Sequence, residues 1–234
     1  MAYKTNLGTN TSNFQNMMEN GFGIVTVMNA YVCDALSPKT LKTLTPYQIA
    51  NATYVIGETV PNGIQDNGDN VAKVLCRLDT LKIANATQEG PSKTITGGKY
   101  SNALIKFGKS ARLEMQDALG NAKAIDALCG GIEEHTSKGT VGLHFGEDFQ
   151  GPKMIVGDSF FIDRNTGQQV KVKIVFYQFL PDSIFNLTQD AEGDATVFDM
   201  NGDLLTTDIK ITDADGNDHI HGLFYSIVDP SEVA

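Results

Sequence analysis

The residues best equipped for chemistry in this chain are few and scattered. His219 and His221 stand two apart, so on a strand they share a face, with the Asp218 carboxylate adjacent. Two imidazoles and carboxylates are ligands for a divalent metal. No second cluster in the sequence completes a shell, so the pair reads as solvent-exposed strand histidines. Gly108-Lys109-Ser110 has the ending of a phosphate-binding loop, but Ala103 stands where that pattern needs its first Gly. Leu104, Ile105 and Phe107 would also crowd the amides that cradle a phosphate, and an ordinary strand is expected. The run Asp213-Ala214-Asp215-Gly216-Asn217-Asp218 has the composition of a calcium loop. Its Gly is fourth rather than sixth, and Phe224 occupies the place of the bidentate Glu, so a β-turn is expected. Asn10, Asn51, Asn85 and Asn186 each open an Asn-x-Ser/Thr sequon, a product of an Asn- and Thr-rich composition in a chain that reads as having no signal peptide. No catalytic residue, cofactor or metal is assigned.

Elements that would position these side chains follow from periodicity. Gly21-Phe22-Gly23 opens the β-rich run Ile24–Met28. From Leu104 to Gln116 the chain reads as extended, with Ala111, Leu113 and Met115 on one face and Arg112, Glu114 and Gln116 on the other. A helix follows around 117–129: Asp117 is the expected N-cap, Ala118, Leu119, Ala122, Ile125 and Leu128 recur at helical spacing, and Gly130-Gly131 supplies the stop. The last hundred residues read as hairpins. Their turns are expected at Asp163–Gly167, at Met200-Asn201-Gly202-Asp203 and at Asp213–Asp218. The pentapeptide Ile-Ala-Asn-Ala-Thr occurs at 49–53 and again at 83–87; two copies do not make a repeat array, and coincidence is the reading adopted.

These patterns predict a mainly β (α+β) protein, an antiparallel β-sandwich or barrel-like domain with one flanking α-helix, long hairpins and extended loops. Residues 1–20 read as a flexible N-terminal arm, and 21–234 as a single β-rich domain with a polar loop around 62–70. Bulk composition agrees. With 234 residues, 41% of them hydrophobic, the chain can bury a core, and no apolar run approaches the length of a membrane-spanning helix. Three widely spaced cysteines, Cys33, Cys76 and Cys129, read as reduced thiols. Lys and Arg number 18 against 28 Asp and Glu, a formal net charge of −10. Tight nucleic-acid binding needs cations on phosphates, so it is excluded; passive contact with nucleic acid is not.

Two resemblances bear on function. Gly157-Asp158-Ser159 with Asp218-His219-Ile220-His221 resembles the Gly-Asp-Ser and Asp-x-x-His elements of GDSL-type hydrolases. That likeness implies Ser159 as nucleophile, His221 as base and Asp218 as its orienter. In that family, however, the Ser lies near the start of an α/β domain, whereas Ser159 falls in an expected hairpin, and the other family blocks are missing.

The broader resemblance covers 72–205. Arg77-Leu78-Asp79-Thr80-Leu81, Gln88-Glu89-Gly90-Pro91 leading to Gly97-Gly98, the stretch Gly108–Gly120, the turn Ile162-Asp163-Arg164-Asn165-Thr166-Gly167, and Ala191-Glu192-Gly193-Asp194-Ala195-Thr196-Val197-Phe198-Asp199-Met200 are together similar to tail tube and related virion structural proteins of tailed bacteriophages. The resemblance implies a non-enzymatic virion protein, assembled in the bacterial host cytoplasm into stacked homohexameric rings. Hairpins of six subunits would join into one inner barrel, a conduit for tape-measure protein and DNA ejection. The partners it implies are further copies of the chain, other tail proteins and tape-measure protein, with DNA only in passing and no membrane. The arm 1–20 and loop 62–70 are the expected inter-ring elements, and the hairpins 153–178 and 184–206 the expected barrel or core strands. The alternatives are another phage virion β-protein (head decoration, tail completion or baseplate component) and the Ser159 hydrolase.

Overall fold

The computed structural model describes residues 14, 17–18, 22–50, 65–66, 70–71, 74–78, 81–90, 92–97, 101–106, 108–117, 122–147, 149–164, 167, 169–182 and 198–229. Strand propensity and period-2 patterning yield, in chain order, β1 (Phe22–Asp34), β2 (Gln65–Asp66), β3 (Asn70–Val71), β4 (Val74–Leu78), β5 (Leu81–Glu89), β6 (Ser92–Gly97), β7 (Ser101–Lys106), β8 (Ser110–Asp117), β9 (Gly131–Thr136), β10 (Gly139–Phe145), β11 (Lys153–Asp163), β12 (Gln169–Pro181), β13 (Phe198–Leu204), β14 (Thr207–Thr212), β15 (Asp218–Leu223) and β16 (Tyr225–Val228). Helices α1 (Pro38–Leu41), α2 (Pro46–Ala50) and α3 (Ala122–Cys129) accompany them, and Phe14, Met17 and Met18 are also helical.

One antiparallel sheet organises the domain, in the order β4-β1-β11-β12-β13-β8-β5, with β16 also paired to β12. It is open rather than closed into a barrel, since β4 and β5 end the order without pairing to each other. Its interior face holds the main core. Val32, Leu78, Ile155 and Phe179 from one side meet Leu113, Met115, Met200 and Leu204 from the other, with Leu128 of α3 in the same cluster. The opposite face of β1, β11 and β12 is also sealed. Cys33, Met154, Val156, Val175 and Tyr177 pack there beneath Leu41 of α1, Ile49 of α2 and Ile209 of β14. With both faces covered, the start of β11 is apolar and buried at successive residues, Met154-Ile155-Val156, where a half-solvated strand would alternate. The three cysteines are thiols outside any disulfide, as expected, and all three are buried; burial pushes the Cys129 thiol up to about 11.

Several local expectations are met. The β11–β12 hairpin turns at Asp163–Gly167, where Gly167 N–H donates to the Asp163 carbonyl at 2.8 Å and Gly167 adopts φ +68°. The expected helix ends at Gly130, whose φ of +77° favours a residue without a Cβ. Others need correction. Helix α3 starts at Ala122, and Asp117 closes strand β8, in register with Phe198 and Leu81, instead of capping the helix. The expected stretch 104–116 is two strands, with Gly108 and Lys109 between them. Two short helices, α1 and α2, appear where no helix was expected; Ser37 caps the first, its Oγ accepting the Thr40 N–H at 3.2 Å.

Met200–Asp203 is not a turn but the middle of β13. Gly202 is required there by close packing, since a Cβ would lie 2.2 Å from the Leu180 carbonyl oxygen and 2.7 Å from the Phe179 ring. The two copies of Ile-Ala-Asn-Ala-Thr differ in structure. Ile49 and Ala50 end a helix, while 83–87 lies in β5, and 51–53 falls outside the described residues. Most of the N-terminal arm also lies outside them, but Met17 is fully buried against Phe161, Val170 and Val172, so that part of the arm is docked on the sheet. In the region of the expected polar loop, β2 and β3 pair as a short hairpin.

Candidate functional site

The chemistry-bearing residues of the sequence are not assembled into a catalytic group. Ser159 lies within β11, between Val27 and Val172, and is 1% exposed. His221 and Asp218 stand on the exposed strand β15, which among the described strands pairs with β14 alone. Asp218 does not orient His221: its Oδ1 accepts the Thr212 hydroxyl at 2.7 Å and its Oδ2 the Lys210 ammonium at 3.2 Å. These hydrogen bonds, Thr212 first, hold its carboxyl below the usual range. Gly108 and Lys109 form an exposed link into β8, where Ser110 begins the strand. The Asp213–Asn217 segment is a turn: Asp213 Oδ1 accepts the N–H groups of Asp215 and Asn217, each at 2.9 Å, and Gly216 sits at φ +84°. Among the described residues no three His, Cys, Asp or Glu side chains converge as a metal shell.

What the fold does assemble is an acidic sheet face. Strands β13, β8 and β5 lie side by side with their apolar residues turned to the core, so their alternate residues line up outside. One row across the three strands is Asp203, Arg112 and Thr87, and the next is Asn201, Glu114 and Asn85. Asp199 pairs with Gln116 in the row after, Gln116 Nε2 donating to Asp199 Oδ1 at 3.0 Å. Glu89, Glu114, Asp199 and Asp203 are exposed.

A single guanidinium, Arg112, is shared among the carboxylates of this face. Its Nη2 donates to Asp182 Oδ2, its Nη1 lies 3.2 Å from Asp203 Oδ1, and its Nε is 3.9 Å from Glu114 Oε1. The Asp182 hydrogen bond is the chief cause of its raised pKa. A shallow cleft of about 300 Å³ opens beside it, between Thr87, Glu89, Ser110, Glu114 and Asp203. Beyond this face, β5 ends the sheet, and no described strand hydrogen-bonds to its outer edge.

The sequence carried half of this site. The outward alternation of Arg112, Glu114 and Gln116 was legible, whereas the matching row on β13 was hidden by reading Asn201-Gly202-Asp203 as a turn. The signal was present: Asp199, Asn201 and Asp203 alternate with Met200, Gly202 and Leu204.

Two further surfaces are distinct. Among the described residues the β9–β10 hairpin pairs with no other strand, and it and the segment after it expose Ile132, Val141, Phe145 and Phe149, the last 82% exposed. Behind its base a cleft of about 480 Å³ is lined by Asp34, Asp126, Glu133, Lys123, Lys153 and His135, among others. Lys153 bridges to Asp34 at 3.2 Å, and His135 to Glu133 at 3.1 Å. Desolvation, then repulsion from Glu133, raises the Asp126 carboxyl above its ordinary value.

No protein-family model matches the chain, and no curated protein matches it.

Proposed function

We propose that this chain is a tail tube protein of a tailed bacteriophage, forming homohexameric rings that stack into a conduit for tape-measure protein and DNA. The observation that supports the reading is the acidic outer face of β13-β8-β5, joined to an open sheet edge at β5. An edge strand of nine residues presents unpaired backbone groups that aggregate unless they are covered. Pairing between copies satisfies them, and closing six copies into a ring turns the three-stranded faces into one continuous inner wall.

In that wall the carboxylates of Glu89, Glu114, Asp199 and Asp203 face the channel. At −10 per chain, six copies carry about −60 formal charges per ring. Phosphates meet a surface of their own sign with Arg112 already engaged, so DNA slides past without forming the cation–phosphate pairs that would hold it. The exposed apolar side chains of the β9–β10 hairpin offer contacts for stacking one ring on the next.

In this reading β11 and β12, covered on both faces, are core strands and not channel lining. The chain then resides in the virion tail after assembly in the host cytoplasm. Electron microscopy of the purified chain across a concentration series tests the proposal. Six-fold rings and tubes are expected at high concentration. Closed rings that never stack would point instead to a head or tail-completion protein, and a monomer at every concentration would overturn self-assembly altogether.

A further inference from the structure

All four histidines of the chain lie on two hairpins, β9–β10 and β14–β15, that pair with no other strand among the described residues. Those on β15 differ from the others in arrangement. His219 and His221 are two apart on one strand, both exposed, with ring centroids 6.3 Å apart and planes inclined by 51°. His219 Nε2 lies 2.9 Å from Asp213 Oδ2, across the turn. Asp213 cannot easily move, because its other oxygen accepts two backbone N–H groups of that turn. A carboxylate of ordinary acidity is ionised at neutral pH and only accepts. The proton between the two groups therefore sits on His219 Nε2, which leaves the lone pair on Nδ1.

A histidine whose one nitrogen donates to a fixed carboxylate while the other is free is the arrangement that prepares an imidazole to bind a metal. We propose that His219 and His221 together bind a divalent transition-metal ion of the Cu²⁺ or Zn²⁺ type, with Asp213 holding His219 in the ligating tautomer. An imidazole nitrogen binds such an ion at about 2.0–2.1 Å, which puts each ring centroid about 3.2 Å from the metal, and two centroids about 5.2 Å apart in a tetrahedral site or up to about 6.4 Å apart when trans in a square-planar one. The observed spacing is that of a trans pair, and rotation of the exposed His221 ring shortens it to the closer one. Imidazole pairs suit Cu²⁺ and Zn²⁺ and are poor sites for Mg²⁺ or Ca²⁺. Asp218, the carboxylate beside them in sequence, is not a ligand, since Thr212 and Lys210 already engage it. Water or a second copy's side chains complete the shell.

The test is titration of the untagged full-length chain, kept dispersed, with CuCl₂, followed by calorimetry and electron paramagnetic resonance. One ion per chain is expected, with hyperfine structure from two nitrogens. His219→Ala and His221→Ala should each weaken binding by at least tenfold, and Asp213→Asn by about tenfold. The double variant His135→Ala/His144→Ala, on the other hairpin, should bind as the parent does. Equal Cu²⁺ affinity in the parent and in His219→Ala/His221→Ala would overturn the site, as would a two-nitrogen signal that survives those changes. Circular dichroism of each variant separates loss of the site from loss of the fold. Because the chain is kept dispersed, the result is independent of ring assembly.

Discussion

At Gly202 and Arg112, single residues decide how two distant stretches of chain meet. Gly202 lets β13 lie directly against the end of β12, and the hypothetical Cβ at 2.2 Å from the Leu180 carbonyl oxygen has backbone, not a flexible side chain, in its way. Gly202→Ala should therefore cost about 1–3 kcal/mol, the usual range for overpacking, measured as a lower midpoint in urea with an unchanged slope. An unchanged midpoint would mean that β13 gives way freely there. Arg112 ties Asp182, at the end of β12, to Asp203 on β13. These ion pairs are partly exposed, so they set the relation of the strands more than they add stability. Asp126 is the opposite case, a carboxyl in a cleft that disfavours its charge, beside Glu133 and with Lys153 only partly compensating. Its folded pKa lies above the unfolded one, so the folded state holds the proton more tightly and stability falls as pH rises through that interval. Asp126→Asn should raise the melting temperature at pH 7. The gain should vanish below the ordinary carboxylate range near pH 4, where the parent is also protonated. A pH-independent gain would trace the effect to packing instead.

Elements in this fold divide into those sealed on both faces and those left open. The β11–β12 hairpin was legible in the sequence because Val170 and Val172 alternate with Lys171 and Lys173, and because Gly167 can adopt the left-handed turn. Helix α3 was legible from its apolar face, but its start was misplaced, since pairing of Asp117 with Phe198 competes with capping and prevails. The short helices α1 and α2 carry too few turns for a periodic signal; they exist because Leu41 and Ile49 are buried against the sheet. The same limit explains the pentapeptide at 49–53 and 83–87. Ile49 and Ala50 of the first copy lie in a helix and 83–87 in a strand, each following its surroundings.

For the whole molecule, the charge balance becomes a question of placement. The outer face of β13-β8-β5 concentrates carboxylates around Arg112, and if it lines a channel, reversing its sign should make the channel adhesive. Tubes of Glu114→Lys/Asp203→Lys should retain double-stranded DNA on co-sedimentation at low salt and release it as salt rises, while parent tubes retain none. Equal retention by both would place these residues outside the DNA path.

The sequence by itself determined the fold class, the thiols outside any disulfide, the main hairpin, the Asp213 turn and the polar outer face of β8. Each of these rests on residues close in the chain, where alternation, φ preferences and burial act within a few positions. Only the tertiary structure decided that β13 flanks β8, that Arg112 meets Asp182 and Asp203, that Ser159 is buried away from solvent, and that Asp213 rather than Asp218 holds a histidine. Arg112 is 70 residues from Asp182 and 91 from Asp203, and residues that far apart are brought together by the competition of all strands for one core, which no local pattern encodes.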